Sequence, residues 1–175
     1  MIRKCFTTLF AVAFVAVSSQ PVAAQFETGH FDIGPTIGLG GIGDAGISIG
    51  GRAEWGMKPM ESLGTGILGI MGSVEIYSYD FPGGYDWSFI SIGATANYHF
   101  KLTDTKIDPF VGLGLGFHIF TCDGPFGDLG CADEGGIYFI GRAGARYFIS
   151  PRVALYGDIG AGAATINLGV LFKIK

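Results

Sequence analysis

The chain has only one long apolar run, from Phe6 to Val17, interrupted only by Thr7 and Thr8. Nothing after it reaches the roughly 20 consecutive apolar residues that a membrane helix needs. No heptad or sustained helical period replaces it, so a bundle or coiled coil is excluded as well. Cysteine is scarce, with 3 in 175 residues, and one of these, Cys5, lies ahead of the apolar run. Proline, at 7 residues, is too sparse for a collagen-like or disordered chain. Like charges never run beyond two residues, and the formal net charge is −4. Nucleic acid is therefore not an expected partner, since it needs a clustered basic face.

The start has three parts. Arg3 and Lys4 are basic, the run to Val17 is apolar, and Ser18 to Pro21 break it before the small residues Val22-Ala23-Ala24. That is the layout of a secretory signal peptide, too short in its middle to be a transmembrane helix. Residues 1–24 are expected to be removed on export, leaving 25–175 as one domain large enough to hold a core. The two mature cysteines, Cys122 and Cys131, are an even count in an exported chain. This favours one disulfide in an oxidising compartment; two free thiols are the alternative.

Glycine is abundant instead, at 31 residues against ordinary usage of about 7%, and it sits in alternation with bulky apolar side chains. Phe31, Ile33, Pro35, Ile37 and Leu39 interleave with Asp32, Gly34, Thr36, Gly38 and Gly40. Val111, Leu113, Leu115, Phe117 and Ile119 interleave with Gly112, Gly114, Gly116 and His118. Successive strand side chains point to opposite faces, so such a run has one large apolar face and one small or polar face. Six further runs repeat the pattern, at 47–57, 68–77, 90–101, 139–147, 153–160 and 166–174. Eight strands near the 9–11 residues of a tilted membrane strand are expected. Tight turns are expected at Lys58-Pro59-Met60-Glu61, Thr103-Asp104-Thr105 and Ser150-Pro151-Arg152, with longer loops at Gly41–Ala45, Asp80–Asp86 and Thr121–Gly136. Short turns at one end and longer loops at the other are the habit of outer-membrane barrels.

Charge placement chooses between a soluble lipocalin-like barrel, greasy inside, and a membrane barrel, greasy outside. Arg52, Glu54, Glu75, Lys101, Arg142, Arg146 and Asp158 all fall on the glycine-rich parity. A water-facing surface built mostly of glycine would make weak strands. With the apolar parity turned to lipid, glycine leaves room inside a narrow eight-stranded barrel, and closure removes the unpaired edges that lipid does not tolerate. Trp55, Met57, Tyr98, Phe100, Tyr147 and Phe172 at the turn end, and Tyr79, Tyr85, Trp87 and Phe89 at the loop end, are expected to form interfacial girdles.

The segments Gly141-Arg142-Ala143-Gly144-Ala145-Arg146-Tyr147-Phe148, Ser150-Pro151-Arg152-Val153-Ala154-Leu155 and Pro109-Phe110-Val111-Gly112-Leu113-Gly114 resemble later hairpins of the small outer-membrane β-barrel superfamily of OmpX, OmpA-barrel and opacity-type proteins. The resemblance covers Phe31 to Lys175. It implies an all-β, eight-stranded antiparallel up-and-down transmembrane barrel in the cell outer membrane, in contact with membrane lipids and a lipopolysaccharide-type outer leaflet, inserted by the barrel-assembly machinery and monomeric. The superfamily's usual terminal aromatic is replaced here by Phe172-Lys173-Ile174-Lys175.

Catalytic, cofactor and metal sites are not expected. His118 is followed by Ile119 and Phe120 rather than by the His-x-Ser of barrel deacylases, and His30 and His99 have no serine that spacing places beside them. The loop acids Asp123, Asp128, Asp133 and Glu134 do not match the twelve-residue calcium loop. A Cys122–Cys131 bridge is expected to stiffen that loop. Arg52, Glu54, Glu75, Arg142, Arg146 and Asp158 are expected to pair into a polar plug, since buried charges persist when paired. The expected role is structural or surface-interacting; the alternative is a narrow channel or transporter for small solutes or lipid-like molecules.

Overall fold

A computed structural model describes residues 26–41, 46–81, 85–103, 106–123 and 134–175. The expected signal segment, 1–24, lies outside these residues, and so does Cys131, and with it the expected Cys122–Cys131 bridge.

Eight antiparallel strands follow one another around a closed barrel: β1 (Phe31–Gly41), β2 (Ile47–Pro59), β3 (Ile67–Phe81), β4 (Tyr85–His99), β5 (Ile107–Asp123), β6 (Glu134–Ser150), β7 (Val153–Ala161) and β8 (Ala164–Lys173). Each pairs with its sequence neighbour, and β1 closes on β8, with Ile33 opposite Phe172 and Thr36 opposite Gly169. Closure satisfies every strand edge, the condition for standing in hydrocarbon.

Along each strand the two parities separate as the alternation predicts. Asp32, Gly34, Thr36 and Gly38 are buried, while Ile33, Pro35, Ile37 and Leu39 are exposed. On β5 and β6 the outward side chains stand clear, with Leu113 at 75% and Phe139 at 82% exposure. This inverts a soluble protein: the aliphatic side chains coat the outside, and the interior holds Arg, Asp, Glu, Asn, His and Ser. Glycine makes the narrow interior feasible. A Cβ at Gly34 would run into the Val170 carbonyl oxygen of the paired strand, and one at Gly69 would meet Glu54 Oε1 and the Phe26 ring.

Strands β2 to β6 outgrow their expected lengths. β3 and β4 have 15 residues each, β5 and β6 have 17 each, so Asp80, Phe81, Tyr85, Asp86, Thr121–Asp123 and Glu134–Gly136 are strand and not loop. At about 3.3 Å per residue and a tilt of about 40°, a strand that long rises about 40 Å, past an apolar band of about 25 Å. Backbone pairing is indifferent to side-chain polarity, so a ladder already formed in the band continues into polar sequence beyond it. At the other end Lys58 and Pro59 remain in β2, and a 3₁₀ turn at Glu61–Leu63 carries the chain to β3, which replaces the expected tight turn. Lys101 is also corrected. It lies beyond the last residue of β4 and is exposed, so strand parity no longer governs it.

The girdles differ in part. Trp55, Phe100, Tyr147 and Phe172 are exposed on the outer face near the turns. Phe89 is not part of an outer girdle: it packs inward against Tyr77, Ala163 and Ala164. Phe117 and Phe139 supply outward aromatics in the loop-ward half. The side chains of Tyr79, Tyr85 and Trp87 lie outside the described ones.

Candidate functional site: the lumen charge network

Every strand sends at least one polar side chain into one of two hydrogen-bonded tiers that together occupy the lumen. Inward parity dictates the spacing: Arg52 and Glu54 are two apart on β2, Arg142 and Arg146 four apart on β6, Tyr156 and Asp158 two apart on β7. Each set therefore lies on one face of its strand, at successive heights.

The tier nearer the turns centres on Arg146, which is fully buried. Its guanidinium donates to Asp32 Oδ2 at 2.8 Å and to Glu54 Oε2. Asp108 Oδ2 lies 3.8 Å from its Nε. His99 stands between two carboxylates, with Nε2 2.8 Å from Glu54 Oε1 and Nδ1 2.9 Å from Asp108 Oδ2. Asn97 Nδ2 donates to Glu54 Oε1 at 2.8 Å, and His30 Nε2 pairs with Asp32 Oδ2 at 3.1 Å.

The tier nearer the loops centres on Arg52 and Asp158. Arg52 donates to Asp158 Oδ2 at 2.5 Å, to Glu75 Oε1 at 3.1 Å and to the Tyr156 hydroxyl. Arg142 Nη1 donates to Asp158 Oδ1 at 2.9 Å, and Asn167 Nδ2 to the same oxygen at 2.8 Å. Tyr77 Oη donates to Glu75 Oε2 at 3.0 Å.

All six side chains expected in the network are buried in it, in two tiers: Glu54 and Arg146 in one, and Arg52, Glu75, Arg142 and Asp158 in the other. Sequence reasoning passed over Asp32, Asn97, His99, Asp108, Tyr156 and Asn167. Parity carried the signal for all of them, because Asp32, Asn97, His99, Tyr156 and Asn167 alternate with the outward set, and Asp108 precedes the inward Phe110 by two.

Phe26 and His30, which precede β1, had no such signal. Gly29 N–H donates to the Gly56 carbonyl at 2.7 Å and Gly56 N–H to the His30 carbonyl at 2.8 Å, which ties this segment to β2. The Phe26 ring then lies in the turn-end mouth of the lumen, stacked on His99 at 3.9 Å between centroids and 4.5 Å beneath the Arg146 guanidinium. Of the three histidines, His30 and His99 are engaged by carboxylates. His118 is half-buried on β5, opposite Ser91 in register, with its ring tilted against Tyr138.

Residues 10–160 match the family model of the outer membrane protein β-barrel domain. The chain belongs to this family. The outer-membrane barrel therefore has its place in the cell outer membrane, and its spans are strands; among the described residues no helix is long and apolar enough to cross a membrane. No curated protein matches the sequence. Solved structures of similar fold include the Neisserial surface protein A, at 20% identity and a TM-score of 0.56, covering 84% of this chain and 98% of that one. The attachment invasion locus protein Ail of Yersinia pestis, solved in complex with the heparin analogue sucrose octasulfate, aligns at 14% identity and a TM-score of 0.52, over 82% of this barrel and 93% of its own chain. The outer membrane protein OprG from Pseudomonas aeruginosa does so at 12% and 0.52, over 86% and 92%. At these identities the likeness is one of fold.

Proposed function

We propose that this protein is a non-catalytic structural and surface-interaction component of the outer membrane, a monomeric barrel whose lumen is closed by its own side chains. The observation that carries the reading is the Arg146 tier: one guanidinium bridging carboxylates from β1 and β2, with His99 and Phe26 packed beside it across the same section. An eight-stranded barrel has an interior just wide enough for side chains to fill, and these fill it. Paired charges of both signs in such a section leave no continuous path for a hydrated ion. Export through residues 1–24, insertion by the barrel-assembly machinery and contact with a lipopolysaccharide-type outer leaflet complete the proposal.

The test is a planar-bilayer recording of the purified, refolded protein. The expected outcome is no steady conductance above the bare bilayer. A stable, large conductance from the same preparation would instead make this barrel a narrow channel, with the charge tiers lining its path.

A further inference from the structure

Charge is sorted by end in this molecule. Outside the lumen, the cations of residues 26–175 are Lys58, Lys101, Lys106, Arg152, Lys173 and Lys175, and all belong to the turn end. Lys58 stands at the β2–β3 corner, Lys101 and Lys106 at the β4–β5 corner, Arg152 in the β6–β7 turn, and Lys173 and Lys175 where β8 meets β1. Each of the four corners thus carries at least one cation. Lys173 is half-buried and the others are exposed. The acids of the same end are Glu27, Glu61 and Asp104. The connections at the loop end and the strand residues flanking them carry Asp44, Asp80, Asp86, Asp123, Asp128, Asp133 and Glu134, with no Lys or Arg.

Each corner also places an outward aromatic just inside its cation: Trp55 before Lys58, Phe100 before Lys101, Tyr147 before Arg152, Phe172 before Lys173. Aromatic rings settle at the level of lipid headgroups. A cation one to five residues farther toward the turn then stands at the depth of the phosphates, and long Lys and Arg side chains reach such groups from strand ends. Four aromatic–cation pairs spaced around the circumference make a continuous collar.

We propose that this collar binds the phosphodiester headgroups of anionic phospholipids in the leaflet at the turn end. This rests on the reading of the barrel as membrane-embedded, with its short turns on the periplasmic side. The occupant follows from charge complementarity and from continuity with the apolar band: whatever covers the collar also covers the greasy face next to it, and only a lipid presents an anion joined to hydrocarbon there. The cation-free, acidic opposite end has no such affinity, so the two ends select different surroundings.

The experiment uses the full mature chain, refolded into nanodiscs of phosphatidylcholine alone or of phosphatidylcholine mixed with phosphatidylglycerol. Lipid retained by the barrel after gentle release is weighed by native mass spectrometry. The expected result is insertion in both, with phosphatidylglycerol enriched in the retained lipid over its share in the mixture. Each basic residue near a charged surface contributes modestly, so the double variant Lys58→Glu/Arg152→Glu, still heat-modifiable on gels, is expected to lower the enrichment at least about fivefold. Retention in proportion to the mixture, or enrichment unchanged in the double variant, overturns the collar while the membrane reading stands. Failure of the wild-type chain to insert in either lipid overturns the membrane reading itself.

Discussion

Arg146 shows what a single side chain does in this lumen. Its guanidinium reaches Asp32, Glu54 and Asp108 together, so removing it leaves the buried Asp32 and Glu54 carboxylates with only His30, His99 and Asn97 beside them. Breaking a buried pair from one side costs about 3–5 kcal/mol, more than the pair itself contributes. Arg146→Met is therefore expected to lower the unfolding free energy in urea, measured in detergent micelles or vesicles, by about 3–5 kcal/mol. A loss below about 1 kcal/mol, the value of an exposed pair, would show that the lumen is wetter than its burial implies. Arg146 and Glu54 were legible one by one in the sequence as inward charges. Their partners were not: that Arg146 bonds to Asp32, 114 residues away, depends on how the barrel closes.

At the scale of the strand, the decisive feature is the alternation of glycine with branched or aromatic residues. Inward glycine lets neighbouring backbones and long polar side chains share a narrow section; outward glycine does nothing of the kind. Gly34 faces inward and a Cβ there would strike the Val170 carbonyl, whereas Gly72 faces outward with nothing near. Gly34→Ala is expected to destabilise by about 1–3 kcal/mol through forced backbone shifts. Gly72→Ala is expected to be neutral or to stabilise by up to about 1 kcal/mol by restricting the unfolded chain. Urea titrations of the two variants side by side would decide it, and equal losses would mean that strand glycines here act through flexibility rather than space. The parity of all eight strands was legible because it is a local property of extended backbone. The polar extensions of β3 to β6 were not, because pairing with a neighbour, rather than their own pattern, makes them strands.

For the whole molecule, the greasy coat defines the environment. Leu115 is outward and near the middle of β5, so it should lie near the centre of the apolar band. Leu115→Arg is expected to cost about 2–4 kcal/mol of stability in bilayers, seen as a lower midpoint in urea for loss of the heat-modifiable form. A negligible loss would place that part of the surface against water. The same coat explains why the fold resembles structures that share few residues with it: an eight-stranded barrel in lipid asks for a pattern of faces, which many sequences meet.

The sequence by itself determined the strand count and, within the alternating runs, which face of each strand meets lipid and which turns to the lumen, because a period of two residues is written into every extended segment. Tertiary structure decided the rest. The stagger at closure chose which acids meet which arginines, the paired ladders carried β3 to β6 beyond the lipid band, and the chain ahead of β1 folded back to set Phe26 on His99. Such contacts join residues far apart in the chain, and no local pattern encodes the geometry that brings them together.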